Sequence, residues 1–402
     1  MNFVTLGSIA DIQLGKMLSP KAKTGDSPQP YLRNQNVQWG RVDVSDVAVM
    51  DFSEREQEKF ALKKGDLLIC EGGEPGRCAV WQGEIEPCYY QKALHRLRPH
   101  AGIADAEFLS LWIRHQAYTG AFEDQNAKTT IAHLPLVRLE QLPVPDLNFA
   151  QQQQMAKALR ERLAVVEEAR RAAQAQTDEM DALRAAIYRE SFQAIPEDSS
   201  SKILGDVLLG IEAGKSLQTS EVLAREKELG ILKVSAVSWS AFRPEEAKAI
   251  LNHEPDESHR VKAGDLLLSR ANTRELVGAV VLVEKDYPQR ILSDKTLRLV
   301  VDPTKADKLF LMYALRTPAA RAHIEELASG SSDSMRNISQ SVITSIPIPL
   351  PELGEQHRIA RALCERLAVV EEARRAAQAQ LDEIRQLPAR LLAQAFLSTP
   401  TE

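Results

Sequence analysis

The stretch ERLAVVEEARRAAQAQ at residues 161–176 recurs unchanged at residues 365–380, an offset of 204. The likeness runs past both ends of the block. Leu142-Pro143-Val144-Pro145 answers Ile346-Pro347-Ile348-Pro349, Asp178-Glu179 answers Asp382-Glu383, and Phe192 answers Phe396. A fainter echo precedes each block. Leu6-Gly7 pairs with Leu204-Gly205, Gly15-Lys16 with Gly214-Lys215, Trp39 with Trp239, Gly65-Asp66-Leu67-Leu68 with Gly264-Asp265-Leu266-Leu267, and Phe108-Leu109 with Phe310-Leu311. The chain therefore reads as a duplicated unit of a domain followed by a connector: residues 1–150 and 196–353 as domains, 151–195 and 354–402 as connectors.

Residues 151–192 contain no Gly or Pro and are rich in Ala, Glu, Gln, Arg and Leu, the strongest helix formers. A helix of that extent spans about 60 Å at about 1.5 Å per residue. The positions Leu159, Leu163, Val166, Arg170, Ala173, Thr177 and Met180, and in the second copy Leu363, Leu367, Val370, Arg374, Ala377, Leu381 and Ile384, step by four and three, a heptad stripe. This predicts two long helices that pair antiparallel with a pseudo-twofold axis. Pro388 falls opposite Arg184, so the second helix is expected to kink or end early where the first continues. Glu167-Glu168 and Glu371-Glu372 precede Arg170-Arg171 and Arg374-Arg375, the favourable order for ion pairs along a helix.

The domains read as mixed α and β. Gly65–Ile69 and Gly264–Leu268 look like strands entered by a Gly-Asp turn, followed by strands Cys78–Trp81 and Gly278–Val283 and by helices Ala106–Gln116 and Lys308–Arg316.

With 402 residues, 44% apolar and 26% charged, the chain is long enough for several cores. Fifty Lys and Arg against 56 Asp and Glu leave a net charge of −6, which excludes a uniformly basic nucleic-acid binder but not local basic faces. Four cysteines without a C-x-x-C argue against a zinc ribbon or a disulfide framework. No signal peptide and no membrane span are read, so the expected place is the cytoplasm. Catalytic patterns fail one by one. Gly210–Ser216 has one residue too few for a phosphate-cradling loop, and H-E-x-x-H, G-x-S-x-G and the N/D-P-P-Y/F of base-flipping methyltransferases are absent. His95, His133 and His259 are read as ordinary core or surface residues, and Trp39 and Trp239 as core anchors.

In this order, twice over, these features resemble the specificity subunits of type I restriction-modification systems. The opening Leu6–Ile12, the run Ser269–Gly278 and the exit Ile346–Pro351 followed by Glu355-Gln356 are similar to segments of that family. The resemblance implies an α+β chain: two mixed α/β target-recognition domains separated by two long antiparallel coiled-coil helices in a pseudo-twofold repeat. It further implies a non-catalytic reader of a bipartite, asymmetric site on double-stranded DNA. Two methyltransferase subunits would dock on its helices and restriction subunits would join them. S-adenosylmethionine, ATP and Mg would belong to those partners, with no cofactor on this chain. The competing expectation is a coiled-coil scaffold with protein-binding domains.

Readers of base edges use Arg or Lys for guanine and Asn or Gln for adenine, while basic and hydroxyl groups hold phosphates. The candidates in the first domain are Arg33, Asn34, Gln35, Asn36, Arg77, Lys92, Lys128, Thr129 and Thr130. In the second they are Lys233, Ser235, Arg270, Asn272, Thr273, Arg274, Lys295, Ser331, Ser332 and Arg336.

Overall fold

The computed structural model describes residues 2–19, 24–123, 133–195, 202–239, 241–251, 256–332 and 335–397. It divides into two compact units: Met1–Ala175 with Gln378–Glu402, and Gln176–Ala377.

In the first unit a four-stranded antiparallel sheet has the spatial order Ala10–Leu14, Leu94–Pro99, Leu67–Cys70, Cys78–Val80. The second unit repeats that order with Leu208–Ala213, Thr296–Val301, Leu266–Ser269 and Val280–Leu282. The middle strands Leu67–Cys70 and Leu266–Ser269 are buried along their whole length, which is why they read as continuous apolar runs rather than alternating ones. A further sheet accompanies each, of three strands in the first unit and five in the second. In both, a strand after the first hairpin region pairs parallel with a later one, Pro28–Leu32 with Tyr89–Tyr90 and Gly230–Leu232 with Tyr287–Ile291.

The repeated glycines have backbone reasons. Gly65 and Gly264 carry φ of +92° and +78°, a left-handed turn that side chains with a Cβ resist. The aspartate that follows closes the turn: Asp66 Oδ2 accepts from Lys63 N at 2.7 Å and Asp265 Oδ2 from Lys262 N at 2.9 Å. A Cβ at Gly15 would collide with the Gln91 carbonyl, and one at Gly214 with the Leu292 carbonyl.

The domain helices Ala106–Tyr118 and Lys308–Ala314 are each capped by an aspartate. Asp105 accepts from Phe108 N at 2.9 Å and Asp307 from Phe310 N at 2.8 Å, satisfying one of the free N–H groups of the first turn. The second domain adds a helix at Pro318–Leu327 with proline in its first turn, a place that needs no N–H. The Pro-x-Pro exits are strands: Pro143–Pro145 pairs with Phe3–Thr5, and Pro347–Ile348 with Lys202–Ile203. Each domain thus ties its last strand to its first before the chain enters a long helix.

Those helices are Phe149–Gln193 and Leu353–Leu397, each 45 residues. Their heptad stripe is the buried one: Leu159, Ala173 and Thr177, and Leu363, Val370, Ala377 and Leu381, are all under 9% exposed. In the first unit the end of the second helix runs antiparallel beside the start of the first. Arg385 Nη2 lies 3.4 Å from Gln174 Oε1, while Leu392 and Phe396 share a core with Ala156 and Leu159. In the second unit the end of the first helix meets the start of the second. Arg366 pairs with Glu190 at 2.6 Å, and Ile187 packs with Leu363 and Phe310.

Of the two outcomes expected at Pro388, a kink or an early end, the early end is corrected: the second helix continues nine residues beyond it, to Leu397. An interior proline costs about 3 kcal/mol. Beyond it Leu392 and Phe396, at 0% and 5% exposure, are set into the core of the first domain, and burial of two large apolar side chains offsets that cost.

The junction of domain and helix is built the same way twice. Gln152 Oε1 accepts from Asp105 N at 2.9 Å, and its Nε2 donates to the carbonyls of Ile103 and Leu147. Gln356, 204 residues on, accepts from Asp307 N at 2.9 Å and donates to the carbonyls of Lys305 and Pro351. Both glutamines are buried, at 3% and 0% exposure, with their amides fully used.

Candidate nucleic-acid interface

In the first domain, the chain leaves strand Pro28–Leu32 through a single 3-10 turn at Asn34–Asn36. Asn36 makes this turn. It is buried, its Oδ1 accepts from Arg33 N at 2.9 Å, and its Nδ2 donates to the carbonyls of Asp43 and Asp46. Arg33 Nη2 donates to Asp46 Oδ2 at 2.8 Å, and Gln35 Nε2 reaches the same oxygen at 3.0 Å. Arg77 spans from Glu74, at 2.9 Å, to the carbonyl of Asn34, at 3.0 Å. The segment carrying the exposed Lys92 is tied in through Gln91 N to Leu32 O and Glu71 N to Ala93 O. Four of the sequence candidates, Arg33, Asn34, Gln35 and Arg77, therefore form one edge, with Lys92 on the neighbouring turn. Lys128, Thr129, Thr130 and the side chain of Ser331 lie outside the described residues.

The second domain builds its edge from more distant pieces. The 3-10 turn Val234–Ala236 again follows a strand of the accompanying sheet, Gly230–Leu232. Lys233 Nζ and Ser235 Oγ both donate to Glu246 Oε2 at 2.6 Å, and these two bonds hold the Glu246 carboxyl below its usual range. Asn272 is buried, donating to Val234 O and Ser269 Oγ and accepting from Thr273 N. Its strand, Ala271–Asn272, pairs with Met335–Asn337, placing Asn272 opposite Arg336, and that strand pairs with Ser329–Ser332. Arg270 N donates to Lys295 O at 2.8 Å. Lys233, Ser235, Arg270, Asn272, Thr273, Lys295, Ser332 and Arg336 thus converge. Arg274 is set apart, its guanidinium 3.7 Å from Glu325 on helix Pro318–Leu327.

Residue type alone did not separate readers from builders: Asn36 and Asn272 spend their amides on the edge's own backbone. It also missed Asp46 and Glu246. Both lie thirteen residues after Arg33 and Lys233, at an offset of 200 that also joins Gln35 to Ser235 and Trp39 to Trp239. An acid kept at one spacing in both copies was the available signal.

Trp39 and Trp239 pack at the margins of their cores. Their Nε1 atoms donate to Glu74 Oε1 at 2.7 Å and to the Glu275 carbonyl at 2.8 Å, and each indole face carries a guanidinium, Arg114 at 5.5 Å and Arg321 at 4.7 Å. Each tryptophan also borders a groove between its domain and the long helices. The first, about 1290 Å³, includes Leu111 and Arg114 with Leu163, Glu167 and Arg171; the second, about 510 Å³, includes Tyr313 and Arg316 with Leu367, Glu371 and Arg375. The helix residues correspond one to one at the repeat offset. Glu167 bonds Arg170 at 2.8 Å and Arg171 at 3.1 Å, which pull its carboxyl down to about 2. Glu371 repeats the arrangement with Arg374 and Arg375.

The family model for the type I restriction modification DNA specificity domain matches this chain over residues 1–170 and 236–371, which takes in the first domain, residues 236–353 of the second, and the start of each connector. The chain belongs to that family. Its specificity-family relatives include the EcoEI specificity subunit of Escherichia coli, 30% identical over 158 residues, 39% of this chain and 27% of the relative. The MjaVIII specificity subunit of Methanocaldococcus jannaschii is 30% identical over 188 residues, 44% of this chain and 40% of the relative. The StySPI specificity subunit of Salmonella potsdam is 20% identical over 384 residues, 92% and 82%. The matches to the EcoEI and MjaVIII proteins thus span less than half of those relatives. A chain from a solved structure on complex assembly and conformational transition of the type I R-M system shares the fold, with a TM-score of 0.68 at 17% identity over 98% of this chain and 97% of that one.

Among the described residues, no cluster of His, Cys, Asp and Glu is suited to hold a metal ion, and no helix is long and apolar enough to cross a membrane.

Proposed function

We propose that this chain is the DNA-reading subunit of a type I restriction-modification assembly, itself non-catalytic and working in the cytoplasm. One observation carries the reading. Two domains of the same sheet order present edges at the same place but with different side chains, Arg33 and Gln35 in one, Lys233 and Ser235 in the other, while the helices attached to them share sixteen identical residues. That is the division expected when the domains read different sequences and the helices serve one kind of partner twice. Each edge contacts one half of a bipartite, asymmetric site on double-stranded DNA, and the helices fix the unspecified gap.

The reading residues are the outward-facing Gln35, Lys92, Arg270, Lys295 and Ser332 with Arg33, Asn34, Arg77, Lys233, Ser235, Thr273 and Arg336 beside them. Asn36 and Asn272 shape the edges, and Lys128, Thr129, Thr130, Arg274 and Ser331 extend the same surfaces. The identical helix face bears Arg162, Val165 and Glu168 and their counterparts Arg366, Val369 and Glu372. Its valines are 66% and 69% exposed, apolar surface left for a partner to cover. Two methyltransferase subunits dock there and restriction subunits join them, bringing S-adenosylmethionine, ATP and Mg. With −6 net charge on this chain, DNA affinity belongs to the assembly and falls steeply with salt.

Mapping methylated adenines across the genome of a host carrying the complete system tests this. The expected result is one motif with two unlike half-sites at a single fixed gap. Methylation without a motif, or an assembled complex that binds all duplexes alike, would leave a protein-binding scaffold as the better reading.

A further inference from the structure

On both edges a basic side chain beside the outward-facing ones is already answered by a carboxylate of its own domain. Arg33 meets Asp46 at 2.8 Å and Lys233 meets Glu246 at 2.6 Å, and in each the polar residue two positions on, Gln35 or Ser235, bonds the same carboxylate oxygen. Asp46 is 74% exposed, and among the described residues its carboxylate bonds these two edge residues and no core group. Glu74 differs: it binds Arg77 and also Trp39 Nε1, so it is tied into the domain.

A carboxylate can serve an arginine by orienting its planar guanidinium. It cannot do so for lysine, whose ammonium has no plane to hold. Because the arrangement recurs with lysine in the second domain, the shared effect is charge neutralisation, not orientation. Neither pair is closed off from solvent, with side chains 26% and 74% exposed in Arg33–Asp46 and 35% and 27% in Lys233–Glu246, and solvent-accessible pairs are weak, so a phosphate can displace the acid, and the displaced acid then stands near the DNA as a like charge.

We propose that Asp46 and Glu246 are discrimination residues: each competes with the DNA backbone for its neighbouring cation, so that a duplex is held firmly only when its bases also engage the edge. This rests on reading the two edges as DNA contacts. On an unmatched sequence the cation gives up its carboxylate and gains only a phosphate, which is close to an exchange of equals. On a matched sequence the edge is held through its base contacts while the cation stays on its carboxylate, so the exchange is not made and the acid weighs only on unmatched DNA. The device suits an acidic chain that must meet DNA without binding it everywhere.

The test compares the wild-type full-length chain, assembled with its methyltransferase subunits, with the isosteric double variant Asp46→Asn/Glu246→Gln. The probes are a duplex enriched from a random pool by the wild-type assembly and a scrambled duplex of equal length, titrated over a range of salt. The variant should bind the scrambled duplex about threefold more tightly for each carboxylate neutralised and the enriched duplex within about twofold of wild type. Its slope of log K against log salt on the scrambled duplex should steepen by about 0.9 per cation released. A loss of tenfold or more on the enriched duplex alone would show that the acids orient readers, and equal binding by variant and wild type would show that they do nothing; either overturns the inference. Single variants Asp46→Ser and Glu246→Ala, each with unchanged thermal unfolding, guard against misfolding as the cause. If the wild-type assembly enriches no duplex from the pool, the assignment of the edges to DNA fails first, and the inference with it.

Discussion

Gln152 and Gln356 make the same three bonds to equivalent backbone positions, and the helices they open share a block of sixteen identical residues. The two proposed reading edges, 200 residues apart, keep only a plan: strand, 3-10 turn, cation, acid. Their content differs at nearly every side chain. Buried, fully bonded groups at a junction leave no room for substitution, since each change strands a partner in a dry environment. An edge whose bonds end on exposed oxygens can exchange side chains at little cost to the fold. The two halves are thus alike where they are fastened and different where they face outward.

The likeness of the fastenings is most easily broken at the ends of the long helices. Phe396 sits in an aromatic nest with Phe108, Trp112 and His115, at centroid distances of 6.0, 4.9 and 5.3 Å. Its counterpart Phe192 has Phe310 at 5.8 Å and remains half-buried. Phe396→Ala should cost about 3–5 kcal/mol in docking of residues 378–397, and Phe192→Ala distinctly less. Hydrogen exchange over the two helix ends measures both. Equal losses would mean that the nest around Phe396 adds nothing.

A second pair sharpens the same point. Gln152→Leu and Gln356→Leu each leave a buried N–H and two carbonyls without their partner, at about 2–3 kcal/mol apiece. The measurement is amide protection at Asp105 and Asp307, read separately because two domains need not unfold together. The two effects should match; a large effect in one half alone would show the junctions to be unlike in energy despite their geometry.

What could be read from the sequence follows from the range of the forces involved. The long helices were legible because their pattern is local: the buried stripe of Leu159, Ala173 and Thr177 is the heptad one. So were the Gly-Asp turns, where one backbone angle dictates one residue. The sheet order was not, since Leu67 finds Leu97 and Leu266 finds Leu299 only across thirty residues of chain. Asn36 and Asn272 looked like adenine readers by type, and nothing local reveals that an amide is used up inside. Pro388 misled because helix breaking is a local cost, whereas Leu392 and Phe396, which outweigh it, act through a tertiary contact. Of the proposed interface, the positive members were legible and the acids that answer them were not.

Acid should separate the halves. Among the described residues the buried histidines are His95 and His115, both in the first domain, and burial lowers the pKa of each from its ordinary 6.5. The second domain has Leu297 at the register position of His95, opposite Leu268 as His95 is opposite Ile69. It has Thr317 where the offset from Phe108 and Phe310 places His115. Neutral histidine favours the folded state, so the full stability is present above the unfolded value near 6.5 and is lost as pH falls from there through the folded values. Limited proteolysis or hydrogen exchange between pH 7 and pH 5 should show the first domain loosening while the second holds. His115→Thr should narrow the difference, and a parallel decline of both domains would remove histidine burial as its source.

The smallest effect bears on the part of the molecule where the halves are identical. Glu167→Gln and Glu371→Gln each disconnect two arginines on a half-exposed helix face, and such pairs contribute only about 0.3–0.5 kcal/mol, less in high salt. Stability should scarcely move in either variant. A residue pattern kept identical in both copies while contributing so little to folding needs another reason, and a partner that grips both helices in the same way supplies one. Each variant should therefore weaken capture of a methyltransferase subunit, and by the same factor at either helix, which a titration of the two single variants and the double variant would read as two equal and independent losses. If one variant abolished capture and the other left it intact, the helices would differ in function despite their shared sequence, and the comparison would have to be drawn between unlike partners instead.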